Sequence, residues 1–216
     1  MPSAQHLKSI RFPQYSFSSN ETAVSFDSIA VYEITLAVVD PQNVGTLTTR
    51  TDADTGVATL VTGHSITTGE VVDVYWAAGV RYGMTATVSV NAVTVDGGAG
   101  DDLPSQDTAC TVVEQTSITV LNLDGDNAKM IGVFYRNASD TGAKAHINFQ
   151  DSGAATIREV DLVHETANGG LDEILNISGG DTNTYTGNPV TQGKASHDSV
   201  TAAAVLYVLA GIDATP

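Results

Sequence analysis

The stretch from Gly63 to Pro104 reads GHSITTGEVVDVYWAAGVRYGMTATVSVNAVTVDGGAGDDLP. It contains the only tryptophan, Trp76, and turn signals at Thr68-Gly69, Ala77–Gly79 and Asn91-Ala92. Between those turns lie Glu70–Trp76, Val80–Val90 and Val93–Val95, rich in the β-branched and aromatic side chains that suit a pleated, half-buried surface. Immediately upstream, GTLTTRT and VATLV flank an Asp/Gly turn at Asp52–Gly56, the pattern of a hairpin. Immediately downstream, ACTVV around Cys110 reads as another strand. About five or six strands therefore fall between Val44 and Val113, enough for a small SH3-like or OB-like β-barrel.

Further from this centre the chain stays β-rich. Ala23–Phe26 and Ile29–Leu36 read as strands, and in the second Ala30, Tyr32, Ile34 and Leu36 form the core-facing side. Asp40-Pro41 ends that run, because proline cannot continue a central strand. After Glu114, strands are expected at Ser117–Leu123, Ala128–Tyr135, Ala145–Phe149, Ile157–Val163, Leu171–Ile177 and Val200–Leu209. The segment Ser178–Ser199, glycine- and threonine-rich, reads as one long loop of the kind that forms contacts. The strands before Val44 are too few to fold alone. The expectation is therefore an all-β chain in which residues 1–43 and 115–216 form a jelly-roll-like β-sandwich with an N-terminal arm. The barrel, residues 44–114, is inserted into it. One continuous sandwich of about 11–13 strands is the alternative.

Composition narrows the function. The chain has 216 residues, 42% of them hydrophobic, so it can bury a sizeable core. Its 25 acidic and 9 basic residues give a net charge of −16. Such a surface repels phosphate backbones and anionic lipid, which argues against direct nucleic-acid or membrane binding. It also keeps free copies apart and favours docking on a basic partner surface. With one cysteine, Cys110, no internal disulfide can form. The opening MPSAQHLKSIRFPQ has no apolar leader segment, and no apolar run reaches the length of a spanning helix. Synthesis in a cytoplasm is expected.

No motif carries chemistry. Gly97–Asp102 has the glycine/aspartate look of a calcium loop, but those loops occur in tandem and this one is single. A tight turn is expected there, and Asp124–Asn127 is likewise a β-turn lacking the later ligands of an EF-hand. His6, His64, His146, His164 and His197 show no zinc spacing, and His164-Glu165, an acid/base pair by residue type, sits at a strand end beside ANGG, where polar side chains face water. No Gly-x-Ser-x-Gly elbow is present, and GGAGDD places acids where a phosphate would sit. Tyr75, Trp76 and Tyr82 flank one hairpin and are expected to pack the barrel core; a sugar-binding face is the alternative. No catalytic, cofactor-binding or metal-ligating residue is assigned, and no enzyme activity is expected.

The run TTGEVVDVYWAAGVRYGMTATVSVNAVTVDGGAGDDLP, Thr67–Pro104, resembles segments of virion structural proteins of tailed bacteriophages. The resemblance implies a β-rich, non-enzymatic assembly protein of the virion. A capsid decoration (cement) protein that bridges neighbouring capsid subunits is the first reading, and a tail-tube or tail-tip protein is the close variant. A carbohydrate-binding β module is the alternative from another class. The implied partners are the major capsid protein or another virion protein and further copies of the chain, a trimer being one option. The residues expected to make these contacts are Leu7, Lys8, Ile10, Arg11 and Phe12 of the arm, and Tyr185, Asn188 and Pro189 of the long loop.

Overall fold

A computed structural model describes residues 28–118, 128–137, 142–151, 153–163 and 192–212. The chain is all-β. Six consecutive strands close into a barrel: β2 (Val44–Arg50), β3 (Thr55–Leu60), β4 (Val71–Trp76), β5 (Gly79–Ser89), β6 (Ala92–Gly100) and β7 (Thr108–Glu114). Their order around the barrel is β2-β3-β6-β5-β4-β7, and β7 closes it by pairing with both β2 and β4. The closure leaves no free edge, and the alternation of each strand fills the interior with Leu47, Ala58, Val72, Val74, Val95 and Val112. Cys110 lies in this core.

The remaining strands form two sheets. β1 (Ser28–Leu36), β13 (Ala204–Ile212) and β9 (Ala128–Asn137) make one, with β13 in the centre. β11 (Thr156–Val163), β10 (Lys144–Gln150), β12 (Gln192–His197) and β8 (Thr116–Ile118) make the other, in that order. Inward side chains of both sheets meet in one cluster: Leu36, Tyr135 and Leu206 from the first touch the same core as Ile147, Phe149 and Leu162 from the second. Along β1, Ile34 and Leu36 face this core while Glu33 and Thr35 are exposed, as the alternation predicts.

Two elements differ from the sequence reading. The expected long loop ends in a strand, β12, whose sequence QGKASH has no β-branched residue. It is a strand because β10 and β8 bracket it, and Gly193 is required there. A Cβ at that position would lie 2.6 Å from the Asn148 carbonyl oxygen. The glycines of Gly97–Gly100 do not form a terminal turn either. They belong to β6, which stays paired with β5 as far as Gly100 while Gly97, Gly98 and Gly100 take left-handed backbone angles. The expected strands Ala23–Phe26 and Leu171–Ile177, and the turn Asp124–Asn127, lie outside the described residues. So does most of Ser117–Leu123, and Val200–Leu209 becomes a strand only from Ala204.

The β5–β6 hairpin turns through Val90 and Asn91, with Ser89 opposite Ala92. Val90 has φ +56° and is 85% exposed, a left-handed conformation that a β-branched side chain strains to adopt. Val90→Gly is therefore expected to stabilise the fold by about 1 kcal/mol, read as a higher denaturant midpoint at unchanged slope. An unchanged or lowered midpoint would show that the turn is not strained.

Candidate functional site

The alternation of β4 sends its side chains two ways. Val72, Val74 and Trp76 face the barrel core, whereas Asp73 and Tyr75 point out of the barrel onto the four-stranded sheet. The sheet face they meet is polar. His146 of β10 stands opposite Ser196 of β12 on one side and Asp161 of β11 on the other, so the three form a row across three strands. Asp73, Tyr75, His146 and Ser196 are each at most 2% exposed.

A chain of hydrogen bonds links the two layers. The Tyr75 hydroxyl lies 2.6 Å from Ser196 Oγ, which donates to Asp73 Oδ2. Asp73 Oδ1 accepts from the Gly83 backbone N–H and from Gln115 Nε2, both at 2.8 Å. The carboxylate thus takes three donors and no cation. Burial pushes the Asp73 carboxyl above its usual range, partly offset by the nearby His146 and by these donors. Burial and the Asp73 charge together raise the Tyr75 hydroxyl well above its usual value.

Three further contacts complete the joint. The Tyr82 ring stacks on His146 with centroids 3.8 Å apart, and burial followed by its hydrogen bond to Glu159 pushes its hydroxyl up to about 12. Lys144 Nζ donates to the Trp76 and Ala77 carbonyl oxygens at 2.5 and 2.8 Å, capping the β4–β5 turn. Val39, Val80, Val113 and Val200 pack around Tyr75 as a small apolar collar.

Chemically, the row Ser196–His146–Asp161 contains the residue types of a hydrolytic triad but not its wiring. His146 Nδ1 lies 2.8 Å from Asp161 Oδ1, yet the serine hydroxyl is committed to Asp73, and His146 Nε2 has no partner. Asp161 is more than half exposed, whereas Ser196 and His146 lie buried beneath the barrel. Cys110 is equally withdrawn, its thiol pushed up to about 11 by burial.

Gly97–Asp102 is also accounted for. The Arg81 guanidinium donates to the carbonyls of Gly97, Gly98 and Asp101 at 2.8, 3.1 and 3.2 Å. A fixed positive charge therefore stands on the oxygens a calcium ion would need. Among the described residues no group of three or more His, Cys, Asp or Glu side chains is placed to hold a metal ion. The aromatics split up too. Trp76 packs against the barrel interior, Tyr75 is buried in the joint and Tyr82 covers His146, so they form no common platform. Trp76 is thus the core residue expected of it, while Tyr75 and Tyr82 serve the joint.

Leu7, Lys8, Ile10, Arg11, Phe12, Tyr185, Asn188 and Pro189 all lie outside the described residues. The joint itself was not visible in the sequence, since Asp73 and Ser196 are 123 positions apart. The one hint was an acid in the middle of the apolar run VVDVYW. Compared with known proteins, the chain matches no family model, no curated protein and no solved structure.

Two outcomes follow from this geometry. Tyr75→Phe removes one buried hydrogen bond and should destabilise the protein by about 1 kcal/mol without altering its fold, as measured by chemical denaturation. Native protein at mildly alkaline pH should leave Cys110 unreacted with a thiol reagent until denaturant is added; rapid labelling would contradict its burial.

Proposed function

We propose that the chain is a non-enzymatic structural protein of a tailed-phage virion, a capsid decoration protein that bridges neighbouring capsid subunits. The observation that carries this reading is how the reactive side chains are used. Asp73, Ser196, His146 and Lys144 are spent on fastening one layer to another. A molecule whose polar groups are invested in internal joints suits a load-bearing role. The acidic surface supports it as well, since a net charge of −16 keeps free copies soluble while favouring a basic shell surface.

In this reading the two sheets are the layers of a jelly-roll-like β-sandwich, built from residues 1–43 and 115–216. Residues 44–114 are an inserted SH3-like or OB-like barrel held out from it. The arm residues Leu7, Lys8, Ile10, Arg11 and Phe12, with Tyr185, Asn188 and Pro189, contact the capsid protein or a second copy of the chain. Area buried across each subunit boundary then resists its opening.

The test is direct. The protein should be found in purified virions at many copies per particle by quantitative mass spectrometry. Deleting residues 1–14 should abolish its binding to undecorated capsids while leaving its melting transition in place. Absence from virions would overturn the reading; full binding by the truncated chain would remove the arm from it.

A further inference from the structure

We propose that the joint between barrel and sheet is a proton-tightened latch: the barrel seats most firmly when the joint takes up a proton and is released as pH rises. The inference rests on the joint alone and stands whether or not the protein belongs to a virion.

The charges at the joint are unbalanced. From β4 it receives Asp73 and the Tyr75 hydroxyl; from β5, Tyr82. From β10 come His146 and Lys144, from β11 Glu159 and Asp161, and after β12 Asp198, whose carboxylate accepts from the Lys144 backbone N–H at 2.7 Å. Gln115, following β7, and Ser196 contribute only neutral hydrogen-bonding groups. Among the described residues four carboxylates thus face one imidazole and, besides Lys194 of β12, which donates to Ser117 Oγ, one lysine, Lys144. The lysine is turned away to the Trp76 and Ala77 carbonyls, and the imidazole Nδ1 is taken by the half-exposed Asp161. Asp73, fully buried, is left with hydrogen-bond donors and no ion pair among the described residues, His146 lying near it without a hydrogen bond to it. A buried carboxylate without a cation favours its neutral form, and separating the layers would return it to water.

The sign follows. Docking raises the proton affinity of Asp73, so the docked state binds more protons than the open one. Docking is then tightest at or below the ordinary carboxylate range. It weakens as pH climbs from the ordinary carboxyl value of 3.8 through the raised value of the docked state.

The bonds that hold the layers are also the kind that can let go. Among the described residues the apolar collar is small, and the contact otherwise includes a hydroxyl relay, a ring stack, the Tyr82–Glu159 hydrogen bond and one lysine. Contacts between layers of this polar type permit relative motion once their pairing weakens.

The test places spin labels on two exposed sites, Thr87 of the barrel and Glu33 of β1, with Cys110 replaced by alanine. Distance distributions are recorded from about pH 3.5 to about pH 8; one linked proton changes the opening equilibrium by up to about tenfold per pH unit. We expect one narrow distance at the lower pH and a second, longer population growing toward the upper. Asp73→Asn should abolish that growth. Ser196→Ala, which strips a donor from the carboxylate, should enlarge the open population more at the upper pH than at the lower. A distribution unchanged across the range, or one that changes equally in Asp73→Asn, overturns the latch. If Asp73→Asn does not fold, the Ser196→Ala comparison decides: an equal effect at both pH values overturns it.

Discussion

One strand serves two interiors, and the architecture depends on it. β4 gives Val72, Val74 and Trp76 to the barrel and Asp73 and Tyr75 to the joint with the sheet. Because strand side chains alternate strictly, the register of β4 cannot slip by one residue without placing a carboxylate in the barrel core. Its partners enforce that register from both sides, β5 through a hairpin and β7 through barrel closure. The bulge between Val72 and Val74 in the β4–β5 pairing falls at Asp73, where the carboxylate takes the Gly83 N–H. Local irregularity and long-range docking thus meet at one residue.

The polar groups at the joint make it specific more than strong. A buried acid with three donors has few alternative seats, so these bonds favour the one orientation of barrel on sheet that satisfies all of them. The same choice carries a penalty, because burying the carboxylate weakens the charged form. An apolar patch of equal size would hold more tightly and discriminate less. The Arg81 cluster repeats the logic at the β5–β6 glycines, where three carbonyls fix the position of one guanidinium.

What could be read from sequence follows the range of the interactions involved. The barrel strands were legible because each is bounded by local turn chemistry, such as Asp52 accepting from the Asp54 and Thr55 backbone N–H groups. β12 was not, because QGKASH has no strand propensity and is held by neighbours distant in sequence. The glycines of β6 read from composition as a turn, since their pairing with β5 is set by contacts that composition does not reveal. The joint was the least legible of all, resting on Ser196 and His146 finding Asp73 across the whole molecule.

The pairing of β1 with β13 sets an order on how the chain comes together. Ser28 lies opposite Ile212 and Leu36 opposite Ala204, so this ladder joins segments separated by most of the sequence. The barrel, by contrast, is complete within Val44–Glu114. Closing a long loop carries an entropy penalty that only the finished ladder offsets, whereas the barrel closes over short ones. Among the described strands β1 pairs with β13 alone, so during synthesis it must wait for that partner while the barrel is already whole, and a waiting strand is open to pairing with a neighbouring chain. The acidic character of the chain then acquires a kinetic meaning: it keeps nascent copies apart during the interval in which each still lacks its own β13.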